Sequence, residues 1–200
     1  MSRSRLSRSV LACCLAGSSL ATFACSGAED SSPEESETDT LSESVKRAPF
    51  PALPSPTLAV PEGNRLAFYL DAVGVQIYVC QASATGVAWT LKAPEATLYD
   101  QRGRVAGTHY AGPTWQANDG SKVVGTRLAG FTDDPSAIPA LLLQAASTEG
   151  AGRMKHVTYI QRLETTGGLA PSTGCDADHV NATTRVDYTA TYYFYSAKCK

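Results

Sequence analysis

The densest set of side chains able to do chemistry lies between residues 109 and 122: His109, Trp115, Asp119, Ser121 and Lys122. One reading makes them a ligand grip, with Trp115 as an apolar platform and His109, Asp119 and Lys122 as polar groups around it. That combination suits a sugar ring, which offers an apolar face and a rim of hydroxyls. A second reading is structural. Asn118-Asp119-Gly120 has the chemistry of a tight hairpin turn, because Asp-Gly supplies the positive φ angles such turns require. Trp115 then packs in the core and His109 bonds a backbone carbonyl. A third reading makes His109 and Asp119 the acid–base pair of an extracellular enzyme, or a hydrolase with Ser121 as nucleophile. That chemistry needs convergent side chains and an oxyanion hole. Two residues of separation within a turn do not favour a relay, and no Gly-x-Ser-x-Gly elbow occurs.

Metal and cofactor chemistry has less to build on. The histidines at 109, 156 and 179 form no His-x-His or His-x3-His spacing. Cys175-Asp-Ala-Asp-His179 gathers possible ligands, with Asp176 and Asp178 as candidates for calcium or, equally, as turn formers. Nucleotide binding needs a glycine turn between a strand and a helix. The nearest fragment, Gly150-Ala-Gly152, lacks a third glycine and lies between strand-like runs. No cofactor is expected.

The elements that would position these groups read as strands. Period-two alternation recurs in Leu66/Phe68/Leu70, Val75/Ile77/Val79, Val87/Trp89/Leu91, Ala96/Leu98, Val157/Tyr159/Leu163 and Val186 to Phe194. Turn chemistry at Asp100–Gly103, Asn118–Gly120, Glu149–Gly152 and Gly167-Gly168 separates them. The expectation is an all-β fold, a single antiparallel β-sandwich or barrel. Tyr188 to Tyr195 carries bulky groups on both faces, as a central strand would. Asp134-Pro135 is the one helical hint, a cap followed by proline at the first helical position. Pro139 stops it within about a turn, before Leu141-Leu-Leu143 reads as a buried strand. Tyrosines late in the chain, including Tyr192, Tyr193 and Tyr195, serve either a binding surface or a packed core.

Charge is distributed unevenly along the 200 residues, whose formal net charge is −2. Arg3, Arg5 and Arg8 precede the apolar run Val10–Ala24, the pattern of a secretory signal peptide. Thr22-Phe-Ala-Cys25 resembles a bacterial lipobox, which makes Cys25 the expected site of lipidation. Ordinary cleavage near Ala24, or acylation at Cys13 after Val10-Leu-Ala, are the alternatives. Residues 26–47 hold seven acids against Lys46 and Arg47 and almost no aliphatic side chain, the composition of a disordered segment. Five prolines between Ala48 and Pro61 stiffen the lead-in to the domain. The chain thus divides into a leader over 1–25, an acidic then Pro-rich tether over 26–56, and a β-rich domain over 57–200. Residues 48–200 balance twelve Lys/Arg against twelve Asp/Glu, so no basic footprint invites nucleic acid or anionic lipid. Membrane contact is expected only through the N-terminal anchor.

Three of six cysteines fall in the domain, where an oxidising compartment favours pairing. Cys80–Cys175 is the expected bridge, closing a loop of about 95 residues and worth roughly 4 kcal/mol on the chain-entropy model. Cys175–Cys199 competes with it, and the absence of a CxxC pair leaves no zinc ribbon or thioredoxin-type site.

The order of motifs is itself distinctive: Trp89-Thr-Leu-Lys-Ala-Pro-Glu-Ala-Thr-Leu98, His109-Tyr-Ala-Gly-Pro-Thr-Trp115, Asp119-Gly-Ser121, Ile138-Pro-Ala-Leu-Leu-Leu143, Val157-Thr-Tyr-Ile-Gln-Arg162, Thr166-Gly-Gly168 and Tyr188-Thr-Ala-Thr-Tyr-Tyr-Phe-Tyr195. Together they resemble the secreted bacterial and fungal family known as domain of unknown function 3455, over about residues 57–196. Ala140 stands where that resemblance leads one to expect Trp. The resemblance implies one β-rich extracytoplasmic domain and no established activity. Some fungal relatives are labelled malate dehydrogenase, a label that the missing dinucleotide fingerprint argues against. The expected function is a non-catalytic envelope or surface binding module, with carbohydrate or cell-wall material as ligand. An extracellular enzyme and a purely structural surface protein are the alternatives.

Overall fold

The computed structural model describes residues 51–198, so Cys25, the leader, most of the tether and Cys199 lie outside the described residues. Eight strands account for the alternating runs: β1 Asn64–Ser83, β2 Gly86–Tyr99, β3 Val105–Tyr110, β4 Thr114–Ala117, β5 Lys122–Phe131, β6 Ala140–Glu149, β7 Val157–Gly167 and β8 Thr183–Ala197. Each pairs antiparallel with the next, and β8 returns to pair along β1 from Asn64↔Ala197 to Val79↔Thr183. The sheet is therefore a closed barrel rather than a sandwich, and closure pairs the two strands that would otherwise be edges.

A meander of this kind places alternate turns at opposite ends. The connections after β2, β4 and β6 gather at one end, which is plugged. Met154 there is fully buried, and the Arg153 guanidinium lies 4.1 Å over the Phe68 ring. The connections after β1, β3, β5 and β7 gather at the other end. The Cys80–Cys175 disulfide fastens the long β7–β8 connection to the end of β1 there. That is the bridge expected from the sequence, and it leaves Cys175 no second partner.

Side chains alternate between two clusters. The interior holds Leu70, Leu98, Trp115, Val123, Ile160, Tyr192 and Phe194, among others. A second cluster on the outer face contains Leu58, Ala140, Leu142, Leu163, Tyr193 and Tyr195. It is roofed by a single 3-10 turn, Pro56–Leu58, whose N-cap is Ser55. Tyr195 donates to Gln161 Oε1 at 2.6 Å and Gln161 Nε2 donates to the Leu58 carbonyl at 2.6 Å, pinning that roof. From Ala190 to Tyr195 β8 is thus buried on both faces, as its aromatic content there requires. Ala140 faces this outer cluster, beside a groove that Leu53 and Pro54 also line.

The helical hint at Asp134 is corrected. The Asp134 carboxylate accepts from the backbone N–H and the hydroxyl of Ser136, both at 2.7 Å, and its carbonyl accepts from Ala137 N–H. Pro135 and Pro139 bracket too few residues for helical i→i+4 bonds to propagate, so the segment stays a turn.

Candidate functional site

His109 and Trp115 face each other across β3 and β4 as a directly paired couple, His109↔Trp115. Both point inward, and both are buried, at 3% and 1% exposure. Their rings stack at 4.4 Å and 12°, and Tyr192 of β8 packs against both, edge-on to the tryptophan at 5.2 Å. Gly125 of β5 makes room for this stack, since a Cβ there would lie 3.0 Å from the indole. His109 Nδ1 lies 2.9 Å from the Thr114 carbonyl. A carbonyl only accepts, so Nδ1 carries the proton and Nε2 is left as an acceptor. Burial holds the His109 pKa down to about 3, and the nearby Arg162 guanidinium pushes the same way. The ring is neutral at every physiological pH.

These rings form the floor of a cavity of about 430 Å³ in the unplugged end of the barrel. Its walls are mainly apolar, with Leu141 and Leu143 deep and Leu91 and Leu169 at a rim where they are 52% and 39% exposed. Among the described residues, three cations line it, Lys92, Arg127 and Arg162, and no carboxylate does. Arg162 enters from β7, where it sits opposite Leu141 on one side and Tyr192 on the other. Its Nε and Nη2 both donate to the Pro139 carbonyl, at 3.1 and 2.9 Å. Gln76 projects inward from β1, and Tyr78 donates to the Gly168 carbonyl at 2.6 Å, tying the β7–β8 connection to the wall. Gln76 Nε2 and Trp115 Nε1 are buried without a hydrogen-bond partner among the described residues. Unpaired buried donors of this kind are rare in folded proteins and mark a place where an acceptor belongs.

Asp119 and Lys122 are elsewhere. Asp119 sits in the β4–β5 turn at the plugged end, accepting from the Ser121 N–H at 2.9 Å, from the Ser121 hydroxyl and from Arg153 N–H at 2.7 Å. Those bonds hold its carboxyl below the usual range, the Ser121 hydroxyl foremost. Ser121 is fully buried and its oxygen also accepts from Met154 N–H, so this cluster staples two turns together. Lys122 pairs with Glu149 across β5 and β6 at 2.7 Å. His109 and Asp119 line different cavities and do not form an acid–base pair. Asp176 caps the 3-10 turn Ala177–His179, accepting from Asp178 N–H, and holds the His179 ring at 2.7 Å. Among the described residues no three potential ligands converge on a metal position.

The sequence singled out the floor but not the walls. Gln76 and Arg162 each interrupt an apolar run, Val75-Gln76-Ile77 and Ile160-Gln-Arg162-Leu163, where a polar residue ordinarily signals the solvent face. The usable signal is parity: in β1 the even residues Leu70 and Ala72 are core, so Gln76 is inward too.

No characterised protein and no solved structure matches the chain. Residues 61–196 match the family described as Protein of unknown function (DUF3455). That span runs from the residues before β1 to the end of β8 and contains the whole barrel with its cavity, so the protein belongs to the DUF3455 family.

Proposed function

We propose that the protein is an exported, lipid-anchored binding module of the cell envelope that takes one small organic molecule into the mouth of its barrel and leaves it chemically unchanged. The cavity carries the reading. Its volume of about 430 Å³ falls in the range of small-molecule sites, and its floor is pre-formed by stacked rings locked between strands. Eight-stranded barrels have interiors just large enough to be filled by side chains or to hold one such ligand. Here one half is filled and the other is not. The leader, the Cys25 motif and a disulfide suited to an oxidising compartment support export.

The wall chemistry refines the expected ligand. A sugar would use Trp115 as a presented face, yet one face of that indole is covered by His109 and Tyr192 packs steeply against the same ring. The leucines and prolines of the wall favour an apolar ring or chain over a polyol. A neutral histidine committed to Thr114, with Asp119 spent at the other end, supports binding rather than acid–base catalysis.

Fluorescence titration with N-phenylnaphthylamine, a neutral apolar probe, tests the site. The full chain carrying Cys25→Ser, which takes no lipid, is expected to bind it saturably at one site. Ala93→Trp in the wall and Leu169→Trp at the exposed rim should each weaken binding at least tenfold while near-ultraviolet circular dichroism shows an intact fold. Unsaturable binding, or folded tryptophan variants that bind like wild type, would remove the mouth from consideration.

A further inference from the structure

We infer that the ligand of this cavity is an organic anion, an apolar body bearing one carboxylate, sulfonate or phosphate group, with the charged group held by Arg162 inside the barrel and by Lys92 and Arg127 at its rim. The inference rests on the mouth-binding reading and adds the chemical class of the ligand.

Charge balance is the first support. Residues 48–200 have equal numbers of formal positive and negative groups, yet the cavity lining has three of the former and none of the latter. Elsewhere on the barrel Arg104 pairs with Asp100, Lys122 with Glu149 and Arg185 with Glu95. The cations there without a carboxylate partner among the described residues, Arg65, Arg102, Arg153, Lys155 and Lys198, are all solvent-exposed, whereas Arg162 is partly buried. Among the described residues, neither Arg162 nor Arg127 has a carboxylate within 4 Å. A half-buried guanidinium without a counter-charge is costly to maintain, and in folded proteins such groups are normally paired. The Arg162 guanidinium donates twice to the Pro139 carbonyl and also reaches the Tyr192 hydroxyl, both neutral partners, so what it lacks is an anionic acceptor.

Hydrogen bonding points the same way. The unpartnered groups of the cavity, Gln76 Nε2 and Trp115 Nε1, are N–H donors, and the Tyr78 hydroxyl already donates to Gly168. Against these donors and the three cations stand two side-chain acceptors, His109 Nε2 and the Gln76 amide oxygen. A site rich in donors and poor in acceptors fits a ligand that accepts, and an arginine fork fits the two oxygens of an oxyanion. Aromatic floor, aliphatic walls and a cation deep in the wall together describe an amphipathic acid.

A matched pair of probes separates charge from shape. Anilinonaphthalene sulfonate has the aromatic body of N-phenylnaphthylamine plus one sulfonate. On the full chain with Cys25→Ser, the sulfonate is expected to bind at least tenfold more tightly than the neutral amine, and to weaken with added salt while the amine does not. Arg162→Gln should narrow the preference at least tenfold, and Arg162→Lys should restore part of it. If Arg162→Gln does not fold, the double rim variant Lys92→Gln with Arg127→Gln must narrow the preference instead. Equal affinity for the two probes, or variants that weaken both probes alike, would overturn the inference and leave the cavity as a neutral site. Failure of both probes to bind at the mouth would remove the mouth-binding reading, and this inference with it.

Discussion

A histidine packed flat on a tryptophan and 3% exposed has to be neutral, and His109 makes stability depend on pH. Burial holds its pKa at about 3, against roughly 6.5 in an unfolded chain. The unfolded state therefore binds a proton between those values that the folded state refuses. The contribution is intact above pH 6.5 and is lost as the pH falls toward 3. Between pH 7 and pH 5 the loss should reach about 2 kcal/mol. Asp100, held down to about 2, and Asp119, also lowered, add acid sensitivity only at lower pH. Urea midpoints at pH 7 and pH 5 should thus differ for wild type and converge for His109→Gln, whose amide can still donate to Thr114. A wild-type midpoint constant across this window would mean that the ring is not buried as described. Residue chemistry made His109 and Trp115 legible in the sequence, because few residues here are both polar and aromatic. It could not show that Asp119 and Lys122, four and seven positions after Trp115 along the chain, turn toward the plugged end and a neighbouring strand. Type reports what a side chain can do, whereas direction depends on which turns share an end of the barrel.

Alternation along the strands was readable, but the inward phase was not. In β1 the apolar residues Val75, Ile77 and Val79 are half-buried on the outside, while Gln76, Tyr78 and Cys80 face in. The inward phase itself is constant, with Leu70, Ala72, Gln76 and Tyr78 all buried, and only the parity of the apolar residues changes. Leu66, Phe68 and Leu70 have even parity and the later run odd, and the 20-residue strand runs through both without a turn. Gly74 lies between the two runs, and its backbone is so close to β2 that a Cβ would collide with the Glu95 carbonyl oxygen and with Ala96. That glycine lets the strand bend tightly into the closed ring, a role glycine commonly has at barrel corners. Gly74→Ala should therefore cost about 2 kcal/mol or more through a backbone clash that side-chain repacking cannot relieve. Chemical denaturation would show the loss, and amide exchange should speed up first around Val73 and Val75. An alanine variant as stable as wild type would show that the close approach is not needed. The disulfide was legible because few cysteines compete for it. The brevity of the segment after Asp134 was legible in Pro139, although the cap signal does not tell a helical turn from the plain turn that forms.

Across the whole molecule, charge decides how the barrel can meet a membrane. The domain is formally balanced, so juxtamembrane attraction, worth about 1 kcal/mol per Lys or Arg near an anionic surface, has nothing to accumulate on. The seven acids of residues 26–47 would repel such a surface. The one partly buried cation without a carboxylate partner among the described residues, Arg162, lines the cavity in the barrel mouth and is bound to the Pro139 carbonyl there. The exposed unpaired cations are offset in number by the acids of the domain. Any stable association must then come from a hydrophobic anchor, and acyl chains supply about 0.8 kcal/mol for each buried CH₂. The expectation is that the chain fractionates with membranes and resists high-salt washing, which strips electrostatic adherents. Cys25→Ser should move it to the soluble or secreted fraction, and Cys13→Ser should change nothing. Release of the wild-type chain by salt alone, or its recovery free in the medium, would assign Cys25 to an ordinary cleaved leader. The binding proposed for the barrel mouth would then be that of a diffusing carrier instead of a tethered receptor.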